Sequence, residues 1–351
     1  MAPTFKRKIV FLDTEAFVRE CFNFESTKLA EILRLASEGA IQVVTTTVTV
    51  KESKRRIDKM VRAAKNALKD KDLRFTLGIL QQTSLDCSFF GTIDAKAFGA
   101  EVETKYDNYL SVCKAVICDA SDISAESILD AYFAGSPPFG PEQKKDQFPD
   151  AVAIAALAKW QANDKSPVYV VSHDPDFIAA CKGNPNLIPL KTITEFLDLH
   201  NKDAEEQAKF VHEQIEQSRE RISQEIKKQF MNLGFVLDGE DGDVEHVTVD
   251  NVELGDTSFV ALHEDHAVVE VETTVVFTAD ITYDDTSTGY YDSEDGCLWG
   301  MEQINKTVKR TKDLTVELEL VWDGDHLGSL SVSLGITDVE IDVGIDDGWY
   351  D

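Results

Sequence analysis

The sequence predicts an α/β domain with a parallel sheet, followed by a helical connector and a smaller, mainly antiparallel β domain. Apolar runs alternate with amphipathic segments over the first two hundred residues, which is typical of a parallel sheet covered by helices. A long stretch without proline or internal glycine follows, and after it apolar and polar residues alternate with a period of two. The predicted domains are residues 1–200, 201–233 and 234–351.

Three apolar runs in the first predicted domain have the composition of buried strands. They are "KIVFLD" (8–13), "IQVVTTTVT" (41–49) and "VYVVSHD" (168–174). Segments with helical spacing separate them, and this alternation predicts parallel rather than antiparallel pairing.

The rest of the chain differs from the first domain in composition and in the spacing of its apolar residues. Residues 195–233 are rich in helix formers and predict one or two long helices whose mixed charges face solvent. The later runs "AVVEVETTVVFTADITY", "DLTVELELVWD" and "LGSLSVSLGITDVEIDV" predict an antiparallel sheet with one solvated face. The turns "DGEDGD", "DDTSTGYYDSEDG" and "DGD" lack calcium-loop spacing, and Asp-Gly is the usual hairpin dipeptide.

The acidic charge of the chain is concentrated in its last two-fifths. The formal net charge is −29, of which residues 1–205 carry −3 and residues 206–351 carry −26. This asymmetry predicts two domains with different partners. No apolar run is long enough for a membrane span or a secretory signal, so a cytoplasmic protein is expected.

Histidine and cysteine give no metal-binding pattern. The six cysteines form no CxxC pair and are expected to be buried thiols. His263 and His266, the closest histidine pair, bracket a predicted polar turn, and a plain loop is the favoured interpretation over a metal site.

Carboxylates recur where strands end and helices begin. Asp13 ends the first strand, Glu52 lies just past the second, and Asp150 follows a proline at the start of an apolar helix. Asp174 ends the third strand, and Asp176 lies in the first turn of the helix predicted to follow it. Helix capping alone explains Asp13 or Asp174, and the helix dipole favours Asp150 where it lies. Their conjunction predicts a shared cluster at the carboxyl edge of the sheet, where α/β proteins bind ligands.

A carboxylate cluster calls for a cation. Crowded carboxylates repel and raise one another's pKa values unless a positive charge lies among them. One or two Mg²⁺ or Mn²⁺ ions suit such oxygen ligands. Neither a Ser-His-Asp order nor a "GxxxxGK" phosphate loop offers a competing chemistry.

The helix after the second strand also carries a basic stripe. A solubilising face and a phosphate-binding surface explain the stripe equally well. Its members are Lys51, Arg55, Lys59, Arg62, Lys65 and Lys69.

Residues 8–200 resemble the PIN nuclease domain. The motifs "FLDTEAF", "VTVKESKRR", "PPFG" followed by "KKDQFPDA", and "VVSHDPDF" occur in the family's order. Two places after its first aspartate the family commonly has asparagine, whereas this chain has Glu15, whose part in the site is left open. The acidic β domain has no counterpart in this resemblance.

The resemblance implies a metal-dependent endonuclease, most often acting on RNA, that leaves a 5′-phosphate and a 3′-hydroxyl. By position it implies catalytic carboxylates at Asp13, Glu52, Asp150 and Asp174, of which Asp13, Asp150 and Asp174 hold the principal ion. Glu52 and Asp176 complete the site or position a second ion or the attacking water. The hydroxyls of Thr14 and Ser172 orient these carboxylates. Lys144 and Lys145 hold phosphate oxygens.

Several alternatives remain open at this stage. A haloacid-dehalogenase-like phosphohydrolase needs aspartate at position 15, and a DNA-directed nuclease or a catalytically silent PIN-like scaffold fits the same motifs. The acidic domain is expected to cover the nuclease groove, to dock a basic protein partner, or merely to keep the chain soluble. A toxin or antiviral defence effector is the role that the family likeness suggests, and a homo-oligomer is not excluded.

Overall fold

The computed structural model describes residues 8–69, 94–121, 123–201, 205–238, 242–292, 297–323 and 326–343, over which the elements are numbered. The chain divides into two compact units, Met1–His200 (unit 1) and Asn201–Asp351 (unit 2). Cys87 and parts of the three acidic turns considered as calcium loops lie outside the described residues.

Unit 1 contains a five-stranded parallel sheet, which confirms the predicted α/β class. Its order is β3-β2-β1-β4-β5. The strands are β1 (Lys8–Leu12), β2 (Ile41–Thr46), β3 (Val116–Cys118), β4 (Val168–Val171) and β5 (Leu187–Leu190). The outer strands β3 and β5, of three and four residues, escaped prediction because so few residues form no recognisable pattern.

Helices cover the sheet of unit 1. They are α1 (Thr14–Arg19), α2 (Thr27–Glu38), α3 (Thr47–Ala67), α4 (Ala95–Val112), α5 (Ala125–Phe133), α6 (Phe148–Asp164), α7 (Pro175–Cys181) and α8 (Ile193–Asn201). The strands β2 and β4 end three residues before their predicted ends, because the following residues cap helices instead of pairing. Thr46, for example, accepts a hydrogen bond from the amide of Thr49 at 3.0 Å and so begins α3.

The sheet topology determines where a ligand can bind. The central strand β1 has β2 on one side and β4 on the other. The connection after β1 therefore runs to one side of the sheet, and the connection after β4 runs to the other. Ligands of open α/β sheets bind at such a switch point, beyond the carboxyl ends of the strands. Asp13 immediately follows β1 there.

Unit 2 combines two helices with a mainly antiparallel set of strands. The helices are α9 (Glu205–Gln217) and α10 (Arg219–Phe230). The strands are β6 (Gly234–Asp238), β7 (Gly242–Leu262), β8 (His266–Asp285), β9 (Tyr290–Asp292), β10 (Cys297–Trp299), β11 (Glu302–Asp323), β12 (His326–Ser333) and β13 (Asp338–Asp342). The main sheet has the antiparallel order β12-β11-β8-β7, β9 pairs antiparallel with β10, and β13 pairs parallel with β6.

Alternation along β8 confirms the prediction of one solvated face. Val275 and Phe277 are buried, whereas Glu272 and Asp280 are exposed. The buried face packs in one core with residues of α9 and α10. These helices, assigned from the sequence to a connector, therefore contribute to the core of unit 2. Three helices, α8 to α10, rather than one or two, occupy the described part of 195–233.

The cysteines that the structure describes are mostly buried, as the sequence predicts. Cys113, Cys118 and Cys181 are buried free thiols as expected, whereas Cys21 is exposed, which corrects the expectation for that residue. In the described part of the chain, helices that combine the length and the apolar character of a membrane span are absent.

Phe230 is a sensitive point of the unit 2 core. Its ring is fully buried against Phe277 and Phe235, with ring centroids 5.1 Å and 5.7 Å away. We expect Phe230→Ala to lower the free energy of unfolding of unit 2 by about 3–5 kcal/mol, because the helix and the sheet lose a shared contact and a cavity remains. Denaturant unfolding measures the effect. The neighbouring Met231→Ala is the control, since Met231 is 47% exposed; equal losses in both variants would contradict this packing.

Candidate active site

The predicted carboxylates line a single pocket at the carboxyl edge of the unit 1 sheet. Its walls come from α1, α3, α6 and α7 together with the residues that precede them. The lining residues are Asp13, Thr14, Glu15, Arg19, Glu52, Arg55, Arg56, Lys59, Gln147, Asp150, His173, Asp174, Pro175 and Asp176.

Asp13 is held in place by hydrogen bonds from two parts of the chain. It caps α1, and its Oδ1 accepts a bond from the amide of Thr14 at 2.7 Å. Its Oδ2 accepts a bond from Ser172 Oγ at 2.9 Å. The same Ser172 Oγ accepts a bond from the amide of Asp174 at 3.1 Å. Ser172, which is fully buried, thereby fixes Asp13 relative to the start of α7.

The other carboxylates are placed by helix starts. Asp174 caps α7, and its Oδ1 accepts bonds from the amides of Asp176 at 2.7 Å and Phe177 at 3.4 Å. Asp150 lies in the first turn of α6, where the helix dipole favours a negative charge. Glu52 lies in the second turn of α3, so its side chain reaches the same pocket.

Burial raises the pKa values of three of the pocket's carboxyl groups, those of Asp13, Glu52 and Asp150. Burial, above all, and next the charges of Glu52, Asp13, Asp174 and Asp176 together raise the pKa of Asp150 to about 8. Burial raises the pKa of Asp13 to about 6 against the opposing hydrogen bonds from Ser172 and Thr14. It also raises the pKa of Glu52, which nearby Arg55 opposes. The pocket therefore concentrates negative charge that its own hydrogen bonds do not neutralise.

The donor set fits a hard divalent cation. Carboxylate oxygens are the ligands that Mg²⁺ and Mn²⁺ prefer, and Mg²⁺ usually retains several of its waters. Over the described residues, no three aspartate, glutamate, histidine or cysteine side chains stand close enough to enclose an ion directly. Asp13, Glu52, Asp150 and Asp174 are the residues that would hold a cation in this pocket.

Within the described residues, only Lys144 of the two lysines predicted to bind phosphate contacts a carboxylate of the pocket, that of Asp176. Lys144 Nζ lies 2.7 Å from Asp176 Oδ2, and the carboxylate of Asp176 raises the pKa of Lys144. Asp176 is thus in contact with a cation of the chain itself, and its role as a metal ligand stays a prediction. Lys145 is exposed in a short 3₁₀ turn and does not line the pocket.

One wall of the pocket is basic, and its composition departs in part from the predicted stripe. Arg55 and Lys59 line the pocket, but Lys51 and Arg62 do not. Arg62 instead donates through Nε to both carboxylate oxygens of Asp58, at 2.9 Å and 2.8 Å. Arg56 completes the wall, because positions three, four and seven residues after Glu52 share its helical face.

Four further residues were missed by the sequence analysis. Arg56 could have been found by this helical spacing. Arg19 and His173 also line the pocket, and His173 stands between Ser172 and Asp174 in the motif itself. Ser53 Oγ lies 3.1 Å from Thr14 Oγ1, a contact between α1 and α3 that no local pattern signals. Glu15, whose part was left open, lines the pocket 4.0 Å from Arg56.

The raised pKa of Asp150 predicts a pH-dependent stability in the presence of a chelator. The folded-state pKa, about 8, exceeds the ordinary value of 3.8, so this group stabilises the fold below pH 3.8 and loses that effect as the pH rises through 8. We expect the free energy of unfolding of Asp150→Asn to exceed that of wild type at pH 9 by ~1 kcal/mol or more.

Urea unfolding of unit 1 between pH 5 and pH 9 measures this difference. Asp146→Asn is the control, because Asp146 is exposed in the same segment and does not line the pocket. Parallel pH profiles for wild type and Asp150→Asn would contradict the electrostatic account.

Comparison with known families agrees with this geometry. Residues 10–177 match the family model of the PIN domain, a match that includes every carboxylate of the pocket and none of unit 2. No curated protein matches the chain, and no solved structure does. PIN domains are generally metal-dependent nucleases. Residues 10–177, which carry every carboxylate of this pocket, are thus similar in sequence to the PIN-domain family.

Proposed function

We propose that unit 1 is a divalent-metal-dependent endonuclease that hydrolyses phosphodiester bonds in RNA and leaves a 5′-phosphate and a 3′-hydroxyl. The observation that carries the proposal is the pocket in which buried carboxylates raise one another's pKa values beside a wall of arginine and lysine. The first feature favours a divalent cation and the second favours a polyanion. A phosphodiester attacked with metal assistance requires both together.

The carboxylates and hydroxyls of the chain have distinct tasks in this proposal. Asp13, Glu52, Asp150 and Asp174 hold Mg²⁺ or Mn²⁺, as one or two ions. When bound, the cation supplies a Lewis acid for the phosphate and lowers the pKa of a water molecule. Ser172 restrains Asp13 through its 2.9 Å bond and prevents that carboxylate from turning away.

The basic wall gives the substrate its direction along α3. From Glu52 to Lys59 the helix rises about 10 Å, so Arg55, Arg56 and Lys59 extend away from the carboxylates at successive distances. Guanidinium groups bind phosphate oxygens in a bidentate manner, and the lysine adds a point charge. A single strand with its scissile phosphate at the carboxylates would thus have neighbouring phosphates against α3.

The choice of RNA derives from the family's most common substrate, and DNA is the alternative within the same chemistry. A conditional nuclease, such as a toxin or an antiviral effector, is the setting that we infer from the family likeness and from the acidic charge of residues 206–351. A basic protein bound by the acidic unit would be its regulator. An RNA cleavage rate of the purified chain that a basic protein leaves unchanged would contradict this conditional role.

A catalytically silent scaffold is the second candidate. It is favoured by the lack, over the described residues, of three ligands close enough to enclose an ion as they stand. The raised pKa values oppose it, because carboxylates kept crowded without a cation destabilise the fold.

The decisive experiment for the proposed function is cleavage with and without Asp150. We expect the purified chain to cut single-stranded RNA in Mn²⁺, and Asp150→Asn to lose ~100-fold or more of the rate because a charged ligand becomes a neutral amide. Gel electrophoresis of end-labelled RNA and DNA measures both rates and identifies the ends. Asp146→Asn should retain the wild-type rate. Equal cleavage by wild type and Asp150→Asn, or none with Mg²⁺ or Mn²⁺, would favour the scaffold.

The basic wall makes a separate prediction about salt. Lys59→Ala should weaken binding of a single-stranded oligonucleotide and reduce the slope of log affinity against log salt by about 0.7, because one phosphate contact is lost. Arg62→Ala, one turn further along α3, is the matched control, since Arg62 is paired with Asp58 outside the pocket. Titrations at several salt concentrations measure the slope. A larger change for Arg62→Ala than for Lys59→Ala would place the nucleic acid elsewhere.

A further inference from the structure

Tyr106 carries a buried hydroxyl beside the pocket. The residue lies on α4 and is completely buried, and among the described residues no atom makes a hydrogen bond of standard geometry with its hydroxyl or with that of neighbouring Thr45. Burial raises the pKa of Tyr106 to about 12, while the hydroxyls of Ser53 and Thr45 lower it and the charge of Asp13 raises it. The hydroxyl of Tyr106 is therefore near the polar residues that support the carboxylates.

The ring alone does not account for a tyrosine at this position. It packs edge-on against Phe17 with centroids 5.3 Å apart, and it also contacts the rings of Phe22 and Phe24. Phenylalanine would make the same ring contacts without burying an unpaired polar group, which costs free energy. The hydroxyl therefore needs a polar partner, and Ser53 and Thr45 are the residues whose hydroxyls lower the pKa of Tyr106.

The neighbours of Tyr106 lead from its hydroxyl to the carboxylates of the pocket. Ser53, also fully buried, is adjacent to Glu52 in α3, and its Oγ lies 3.1 Å from Thr14 Oγ1. The amide of Thr14 donates in turn to Asp13 Oδ1. A succession of polar groups thus leads from Tyr106 through Ser53 and Thr14 to Asp13. Through Ser53 it also adjoins the helix that carries Glu52.

We propose that Tyr106 is a positioning residue whose hydroxyl bonds to Ser53 and so sets the spacing of Asp13 and Glu52 when these carboxylates hold a divalent cation. The ring of Tyr106 contacts α1 through Phe17, and its hydroxyl faces Ser53 of α3, so one side chain spans both helices. Lys54 and Asp107, whose charged groups are 2.7 Å apart, join α3 to α4 beside it. The inference rests on the proposed function, because it concerns the geometry of the same metal site.

Tyr109 provides a matched control on the same helix. It is 3% exposed and its ring also packs against Phe17, but its hydroxyl donates to the carbonyl of Leu29 at 3.0 Å. Neither Tyr109 nor Leu29 lines the pocket. Removing this hydroxyl breaks a formed hydrogen bond, whereas removing that of Tyr106 breaks none in the structure described.

The test compares Tyr106→Phe with Tyr109→Phe in the full chain. For Tyr106→Phe we expect an unchanged or higher melting temperature in chelator, together with Mn²⁺ binding weakened ~10-fold, because Ser53 loses a partner that supports the helices carrying Asp13 and Glu52. For Tyr109→Phe we expect a lower melting temperature and wild-type Mn²⁺ affinity. Calorimetric titration with Mn²⁺ and no nucleic acid gives the affinities. Wild-type Mn²⁺ affinity in Tyr106→Phe would overturn the inference.

A double-mutant cycle covers the case in which Tyr106→Phe also loses stability. Ser53→Ala should weaken Mn²⁺ binding, and adding Tyr106→Phe to it should weaken binding little further, because both changes remove the same connection. Independent, additive losses would overturn the inference. If wild type binds no Mn²⁺ and cleaves no RNA, the proposed function fails and the inference fails with it. If wild type does both and Tyr106→Phe binds as wild type, the inference alone fails.

Discussion

The mutual repulsion of buried carboxylates at the end of the central strand is the constraint on which the rest of the pocket depends. Asp13 is 7% exposed, and its burial opposes ionisation before any neighbouring charge acts. Asp150 is disfavoured in its charged form by burial first and by four other acids next. A fold that keeps these groups together bears a free-energy cost, which a divalent cation would offset in the proposed function. The hydrogen bonds around Asp13 offset only part of the cost.

The topology of the sheet makes this concentration of charge possible. Because β1 is central, the segments that follow it and its neighbours all emerge at one edge, and Asp13 and Asp174 cap helices there. Each cap therefore serves the local fold and the pocket together. Ser172 links the two caps. The basic wall follows from helical geometry, because Glu52 and Arg56 share one face of α3 while Arg62 is paired with Asp58. One helix thus provides both an acidic and several basic side chains to the same pocket.

The two units bury their sheets in different ways. Unit 1 buries its strands between helices, whereas unit 2 buries one face of a sheet of long strands and leaves the other face to threonine and acidic side chains. Thr278, for example, donates to Asp250 at 2.9 Å, and Thr307 donates to Asp280 at 2.6 Å. The acidic charge of the chain is therefore compatible with a well-packed core, since Ile226 and Phe277 are buried behind that face.

The sequence alone determined the α/β class of unit 1, the antiparallel character of unit 2 and the carboxylates that reach the pocket. These features follow from apolar periodicity, from capping preferences and from the rule that ligands bind beyond the carboxyl ends of parallel strands. Local patterns did not reveal the short strands β3 and β5, or which bases of α3 face the acids. Only the tertiary structure paired Lys144 with Asp176, turned Arg62 away from the pocket and brought Ser53 and Tyr106 behind Asp13. Such contacts join residues far apart in the chain, and packing rather than neighbouring sequence selects them.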